Sequence, residues 1–221
     1  MFKRKILSKL EAWKQDERHK PLILRGARQV GKTTVVNEFG SQFDNYLYFN
    51  LEMSESVRLF EMDIPLNDLV NMLFASLGKS QKEGSTLIFI DEIQNSPKTI
   101  ALLRYFYEQR PDLYVIAAGS LLENLVDVNV SFPVGRVMYL ALRPCSFYEF
   151  LGAIGKNNLL TILSQKAEYS IAFHEQLMHQ FNQYTIIGGM PEAVQHYAET
   201  QDIIAIEDVY ETLVQAYKDD S

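Results

Sequence analysis

The eight residues Gly26-Ala27-Arg28-Gln29-Val30-Gly31-Lys32-Thr33 fit the pattern G-x-x-x-x-G-K-[ST]. They stand between an apolar run, Pro21 to Leu24, and a stretch of helical character. No other feature restricts the fold as tightly, because the pattern works only where a strand delivers the chain to a tight loop and a helix leaves it. The glycines let the backbone turn sharply and bring N–H groups to a phosphate, and the first turn of the helix adds partial positive charge. The chemistry implied is binding of a nucleoside triphosphate. Lys32 would reach the β- and γ-phosphates, Thr33 would put its hydroxyl on Mg²⁺, and the backbone from Gly26 through Ala27, Arg28, Gln29, Val30 and Gly31 to Thr34 would form the cradle.

A second feature gives that reading its context. Ser85-Thr86-Leu87-Ile88-Phe89-Ile90 is an apolar, partly β-branched run that ends in Asp91-Glu92. Such a run predicts a strand buried on both faces. A carboxylate at the end of such a strand holds Mg²⁺ in phosphate-binding folds, usually through water, since the hard cation keeps part of its hydration shell. Asp91 is the metal-site candidate. Glu92, one residue on, would turn toward the γ-phosphate and orient or deprotonate an attacking water, so that hydrolysis as well as binding is expected. Taken alone, Asp91-Glu92 is equally an acidic strand end opening a turn; beside the Gly26 loop that reading loses ground.

A length of 221 residues allows one large domain or a domain with an appendage. The formal charge of −7 argues against a protein-wide basic field for nucleic acid, although a local basic patch could hide in that sum. The single Cys145 excludes an internal disulfide, and a reducing cytoplasm is the expected setting. The start of the chain carries charges but no apolar h-region, since charge returns at Lys9 and Glu11, and no run approaches the length needed to span a bilayer. Neither export by a signal peptide nor a membrane is expected. Ile6, Leu10 and Trp13 fall instead on one helical face.

Further along, Thr34 to Phe39 continue as a helix that Gly40 closes, and Tyr46 to Asn50 read as a strand. Leu66, Leu69, Val70, Leu73, Phe74 and Leu77 recur at helical spacing before Gly78. Ser96-Pro97 is a helix start, with Ser as N-cap and Pro in the first helical position. Leu113 to Ala118 read as a buried strand followed by Gly119-Ser120, and Val137 to Leu142 as a fifth. The alternation predicts an α/β fold: a five-stranded, mainly parallel sheet flanked by helices, with right-handed crossovers. Ligands bind such sheets at the carboxyl ends of the strands. Gly26, Asp91 and Ser120 all follow strand carboxyl ends. From the capping box Ser146-Phe147-Tyr148-Glu149 onward the pattern is helical, so the expected division is a core over residues 1–145 and a small helical subdomain over 146–221. Within it, Gly188 to Glu192 form a turn. Ile206, Val209, Tyr210, Leu213, Val214 and Tyr217 make an apolar stripe that this domain, a partner or further sequence must cover.

In order and spacing from about residue 4 onward, several segments resemble a prokaryotic family of AAA-type ATPases. They are Leu24 to Thr34, Ile88 to Gln94, Gly119-Ser120, Gly135-Arg136, Pro144 to Phe150 and Gly188 to Glu192. The resemblance implies a P-loop core followed by a helical segment, with ATP and Mg²⁺ as ligands, and a C-terminal domain of poorly understood function that is absent here. The stripe from Ile206 to Tyr217 would be where that domain attaches, which makes a protein partner or the missing domain an expected contact, and oligomers are an open expectation. The same resemblance puts Ser120 where a polar residue senses the γ-phosphate, with Ala118 where many relatives carry threonine. It lets Arg136 stabilise charge developing on the γ-phosphoryl group, in cis or from a neighbouring subunit. The alternative for Arg136 is a solvated arginine beside a strand, and the Arg28 side chain is expected to face solvent or a partner.

His174-Glu175-Gln176-Leu177-Met178-His179 approaches the zinc pattern H-E-x-x-H but misses by one position. Five residues apart on a helix, the two imidazoles diverge by about 140° and cannot share a metal. Beside ATP hydrolysis stand two rival readings: a nucleotide-gated interaction module with little turnover, and a P-loop kinase. The kinase lacks support because no arginine-bearing lid motif is visible.

Overall fold

The computed structural model describes residues 2–119, 133, 135–165 and 170–219. The chain divides into two compact units, Ile6–Leu142 and Met1–Lys5 with Arg143–Ser221. The expected boundary at 145 therefore moves to 142, and the first five residues join the helical unit. The buried Arg4 guanidinium is the cause: it donates to Glu149 Oε1 at 2.9 Å and to the Arg143 carbonyl at 2.7 Å.

The larger unit begins with α1 (Ile6–Lys14), whose Ile6, Leu7, Leu10 and Trp13 are buried. It then alternates β1 (Leu22–Arg25), α2 (Lys32–Gly40), β2 (Asn45–Asn50), α3 (Ser54–Phe60), α4 (Leu66–Ser76), β3 (Thr86–Asp91), a 3-10 turn over Ile93–Asn95, α5 (Pro97–Gln109), β4 (Leu113–Gly119) and β5 (Met138–Ala141). The five strands form one sheet in the order β2-β3-β4-β1-β5, with every pairing parallel. All six residues of β3 are buried, as expected of a central parallel strand covered by helices on both faces. Each buried Ile or Phe side chain there contributes about 1.5–3 kcal/mol. The Ser96 hydroxyl caps α5 by accepting from the Thr99 N–H, and Pro97 occupies the first turn.

Two local expectations need correction. Gly40 does not close α2 from outside: it is the last helical residue, and Ser41 makes the cap by donating to Glu38 and Phe39 carbonyls. Gly40 is needed because a Cβ there would sit 2.7 Å from the Tyr46 ring. The short helix α3 was not anticipated, and of its residues only Phe60 is buried.

The helical unit contains α6 (Phe147–Ala153), α7 (Asn157–Gln165), α8 (Ile171–Ile187), α9 (Pro191–Thr200), a 3-10 turn over Ile204–Ile206 and α10 (Glu207–Asp219). Ser146 and Glu149 form the expected capping box. Cys145, Phe150, Ile187, Val194, Tyr197 and Ile206 make one core cluster, and Leu151, Leu159 and Leu177 another. The C-terminal stripe is only partly covered. Ile206 and Leu213 are buried and the Tyr210 hydroxyl donates to the Ile187 carbonyl, whereas Val214 and Tyr217 are 49% and 44% exposed. No helix among the described residues is long and apolar enough to cross a membrane.

Candidate nucleotide site

The sheet order brings the two sequence motifs together. β1 and β3 each pair with β4, so the loop that follows Arg25 and the acids at the end of β3 open on the same carboxyl edge with one strand between them. The Gly26 loop reaches this edge under tight constraint. A Cβ on Gly26 would lie 2.3 Å from the Leu142 carbonyl oxygen, and the Leu142 N–H donates to the Arg25 carbonyl at 2.7 Å. Only glycine lets the chain turn there. The loop then passes through left-handed conformations at Gln29 (φ 62°) and Gly31 (φ 88°), with Val30 buried beneath it, and α2 starts at Lys32.

Lys32 is 6% exposed, and its ammonium folds back on the loop, donating to the Gly26 carbonyl at 2.9 Å and the Ala27 carbonyl at 3.0 Å. Burial lowers its pKa, against the opposing pull of the Glu92 and Asp91 carboxylates, and Arg28 adds to the lowering. Thr33 Oγ1 donates to Asp91 Oδ2 at 2.6 Å, and Asp91, 3% exposed, also accepts from the Glu92 N–H at 3.1 Å. Loop and strand are thus joined hydroxyl to carboxylate, across 58 residues of sequence.

Glu92 takes a left-handed backbone conformation (φ 53°, ψ 45°), which turns its side chain out of line with β3. Its Oε2 accepts from Gln94 Nε2 at 2.5 Å. Across the sheet, Asn50 lies in register with Asp91, and burial, together with Asp91 through charge and a hydrogen bond, raises the Tyr48 phenol. Sequence reasoning missed Tyr48, Asn50 and Gln94. The first two approach through β-pairing, which no local pattern encodes. The signal for Gln94 was an amide two residues beyond an acid, inside a turn where such side chains can meet.

Two other expected residues fare differently. Ser120 lies outside the described residues. Arg136 does not join the site in cis: it precedes β5, and in a parallel sheet that places it at the amino edge. There the Met138 N–H bonds the Pro21 carbonyl and the Lys20 ammonium bonds the Gly135 carbonyl. The strand separates the two edges by roughly 13 Å. Arg136 Nε donates to Glu108 Oε1 at 2.6 Å, in company with Arg104 at 2.9 Å.

The residues present suit a triphosphate with its magnesium. The loop is a cradle that a single Cβ would obstruct, a buried ammonium lies at its centre, and a hydroxyl and a carboxylate supply hard oxygen donors on one side. Among the described residues no group of three or more His, Cys, Asp or Glu is arranged to hold a metal ion, and His174 and His179 form no such site. A strand, phosphate loop and helix facing a buried acid two strands away define a P-loop nucleotide-binding domain.

Comparison with known proteins makes this specific. The model of a family described as AAA domain matches residues 18–151, and the chain belongs to that family of AAA-type P-loop ATPases. Among solved structures the chain resembles Drosophila ORC bound to DNA, at 16% identity and a TM-score of 0.50, over 86% of this chain and 58% of that one. It also resembles C. elegans PCH-2, at 12% identity and a TM-score of 0.46, over 90% of this chain and 63% of that one. At this identity the ORC likeness shows the fold alone, and the chain spans less than two thirds of either protein. Comparison with functionally characterised proteins finds no match.

Proposed function

We propose that the chain binds Mg·ATP on the Gly26–Thr34 loop and hydrolyses it to ADP and phosphate. Lys32 would exchange its two carbonyl partners for β- and γ-phosphate oxygens, and the loop N–H groups would take the remaining charge. Thr33 and Asp91 would hold Mg²⁺, which when bound neutralises charge on the β- and γ-oxygens. Glu92 would accept a proton from water as the water oxygen bonds to the γ-phosphorus, and the bond from that phosphorus to the β–γ bridging oxygen breaks. Positioning and charge neutralisation are what phosphoryl transfer chiefly needs, and these residues supply both.

The observation that carries the reading is the Thr33–Asp91 hydrogen bond, because it sets the hydroxyl and the carboxylate side by side. Ser120, next after the last residue of β4, remains the proposed sensor of the γ-phosphate. Arg136 is proposed to act in trans, on the nucleotide of a neighbouring subunit, and turnover is proposed to move the helical unit or a protein partner in the cytoplasm. Phosphate release by the wild-type chain and by Glu92→Gln tests the reading: the variant should bind ATP and stop turning over. Wild-type rates in Glu92→Gln would show that this carboxylate has no role in hydrolysis.

A further inference from the structure

We infer that Gln94 is a positioning residue for hydrolysis: its side-chain amide holds the Glu92 carboxylate in the orientation from which it takes the proton of the attacking water. The inference deepens the ATPase reading and rests on it. Three observations converge on the pair. Gln94 Nε2 donates to Glu92 Oε2 at 2.5 Å, so the amide and the carboxylate are in direct contact. The Glu92 backbone is left-handed, a conformation that non-glycine residues adopt at a cost of order 1–3 kcal/mol and that tends to gather at working sites. Gln94 Oε1, the other end of the same amide, is buried without a hydrogen-bond partner among the described residues.

The direction of the amide follows from the chemistry of the pair. With Oε1 turned toward Glu92, two acceptors would face each other, so the donor end must meet the carboxylate even though the acceptor end goes unsatisfied. Two local costs are therefore carried on the two residues that share one hydrogen bond, and the purchase is a fixed carboxylate. With Oε2 occupied by the amide, Oε1 of Glu92 is the oxygen left to accept the proton from water, and a general base must be within hydrogen-bond reach of the proton it removes.

The test is steady-state hydrolysis of Mg·ATP by the full chain as wild type, Gln94→Met and Gln94→Glu. The first variant keeps the length of the side chain without its donor, and the second opposes one carboxylate with another. Because the amide acts through Glu92 and touches no phosphate, kcat should fall about 10- to 100-fold in both while KM for ATP stays within about twofold. A second readout is independent of turnover: the side-chain amide proton of Gln94 in a ¹H–¹⁵N spectrum of the wild type should lie downfield of ordinary glutamine amides and return among them in Glu92→Ala. An unchanged kcat in both variants, a loss confined to KM, or an ordinary Gln94 amide signal overturns the inference. Failure of the wild type itself to release phosphate, with Lys32→Ala as the reference, overturns the ATPase reading, and the positioning role falls with it.

Discussion

Replacing Thr33 by valine removes one hydroxyl and almost nothing else, since the two side chains are nearly the same shape and differ little in helix propensity. In this structure that hydroxyl is the donor to Asp91 Oδ2 at 2.6 Å, and Asp91 is 3% exposed, so water cannot readily take its place. A hydrogen bond to a charged group is worth about 1.5–3 kcal/mol, and the Glu92 N–H on the opposite oxygen cannot compensate for it. For a protein of this size each kcal/mol moves the thermal midpoint by about 2–4 °C, so Thr33→Val should melt about 3–12 °C below the wild type. Thr33→Ser, which keeps the hydroxyl, should recover most of that loss. Thr33→Val has also lost a proposed metal ligand, so in that variant Mg²⁺ should no longer strengthen the stabilisation that ATP gives the folded state. Differential scanning calorimetry without ligand, with ATP and EDTA, and with Mg·ATP reads both effects. If Thr33→Val melts with the wild type and gains as much from Mg·ATP, the hydroxyl–carboxylate pair has neither the structural nor the metal-binding role assigned to it.

Gly26→Ala places its Cβ 2.3 Å from a backbone oxygen that cannot swing aside, so it should destabilise by about 1–3 kcal/mol and weaken nucleotide binding, both visible in thermal melts with and without ATP. Arg136→Ala should leave stability nearly unchanged, because the Arg136–Glu108 pair is exposed, and should abolish any rise of specific ATPase activity with protein concentration. A concentration dependence that survives in the variant would exclude a role in trans. In the helical unit, burial works to raise the Glu149 carboxyl, but the Ser146 and Lys5 N–H groups and the Arg4 guanidinium outweigh it and hold the pKa below its ordinary 4.5. The group therefore contributes stability that is present above its unfolded pKa and is lost as pH falls through the lowered folded value. Glu149→Gln should be less resistant to urea than wild type at pH 7, with the gap closing below about pH 4.5; a gap independent of pH would refute this.

The loop and the acids were legible in the chain because their chemistry is local. Gly26, Gly31, Lys32 and Thr33 stand at fixed spacing on one turn, and Asp91 ends an apolar run that forms a buried strand. Which strand lies between them was not legible, since the order β2-β3-β4-β1-β5 is decided by pairing of distant segments. Asn50 and Tyr48 were missed for that reason. Gly40 was misread because its purpose is the close approach of Tyr46, a contact made across a strand connection, whereas a glycine near a helix end suggests a cap. The edge on which Arg136 falls was readable from its place just before β5, but a resemblance between motifs carries no geometry and allowed an action in cis that the parallel sheet excludes. The Gln94–Glu92 contact depends on the left-handed turn at Glu92, and no residue pattern marks a glutamate for that conformation.

If Lys32, Thr33 and Asp91 together hold a magnesium-bound triphosphate, isothermal titration of Mg·ATP into the wild-type chain should give saturable heat for a single site, and titration into Lys32→Ala should give none. An absence of heat in the wild type, or an unchanged isotherm in Lys32→Ala, would show that these residues do not bind it.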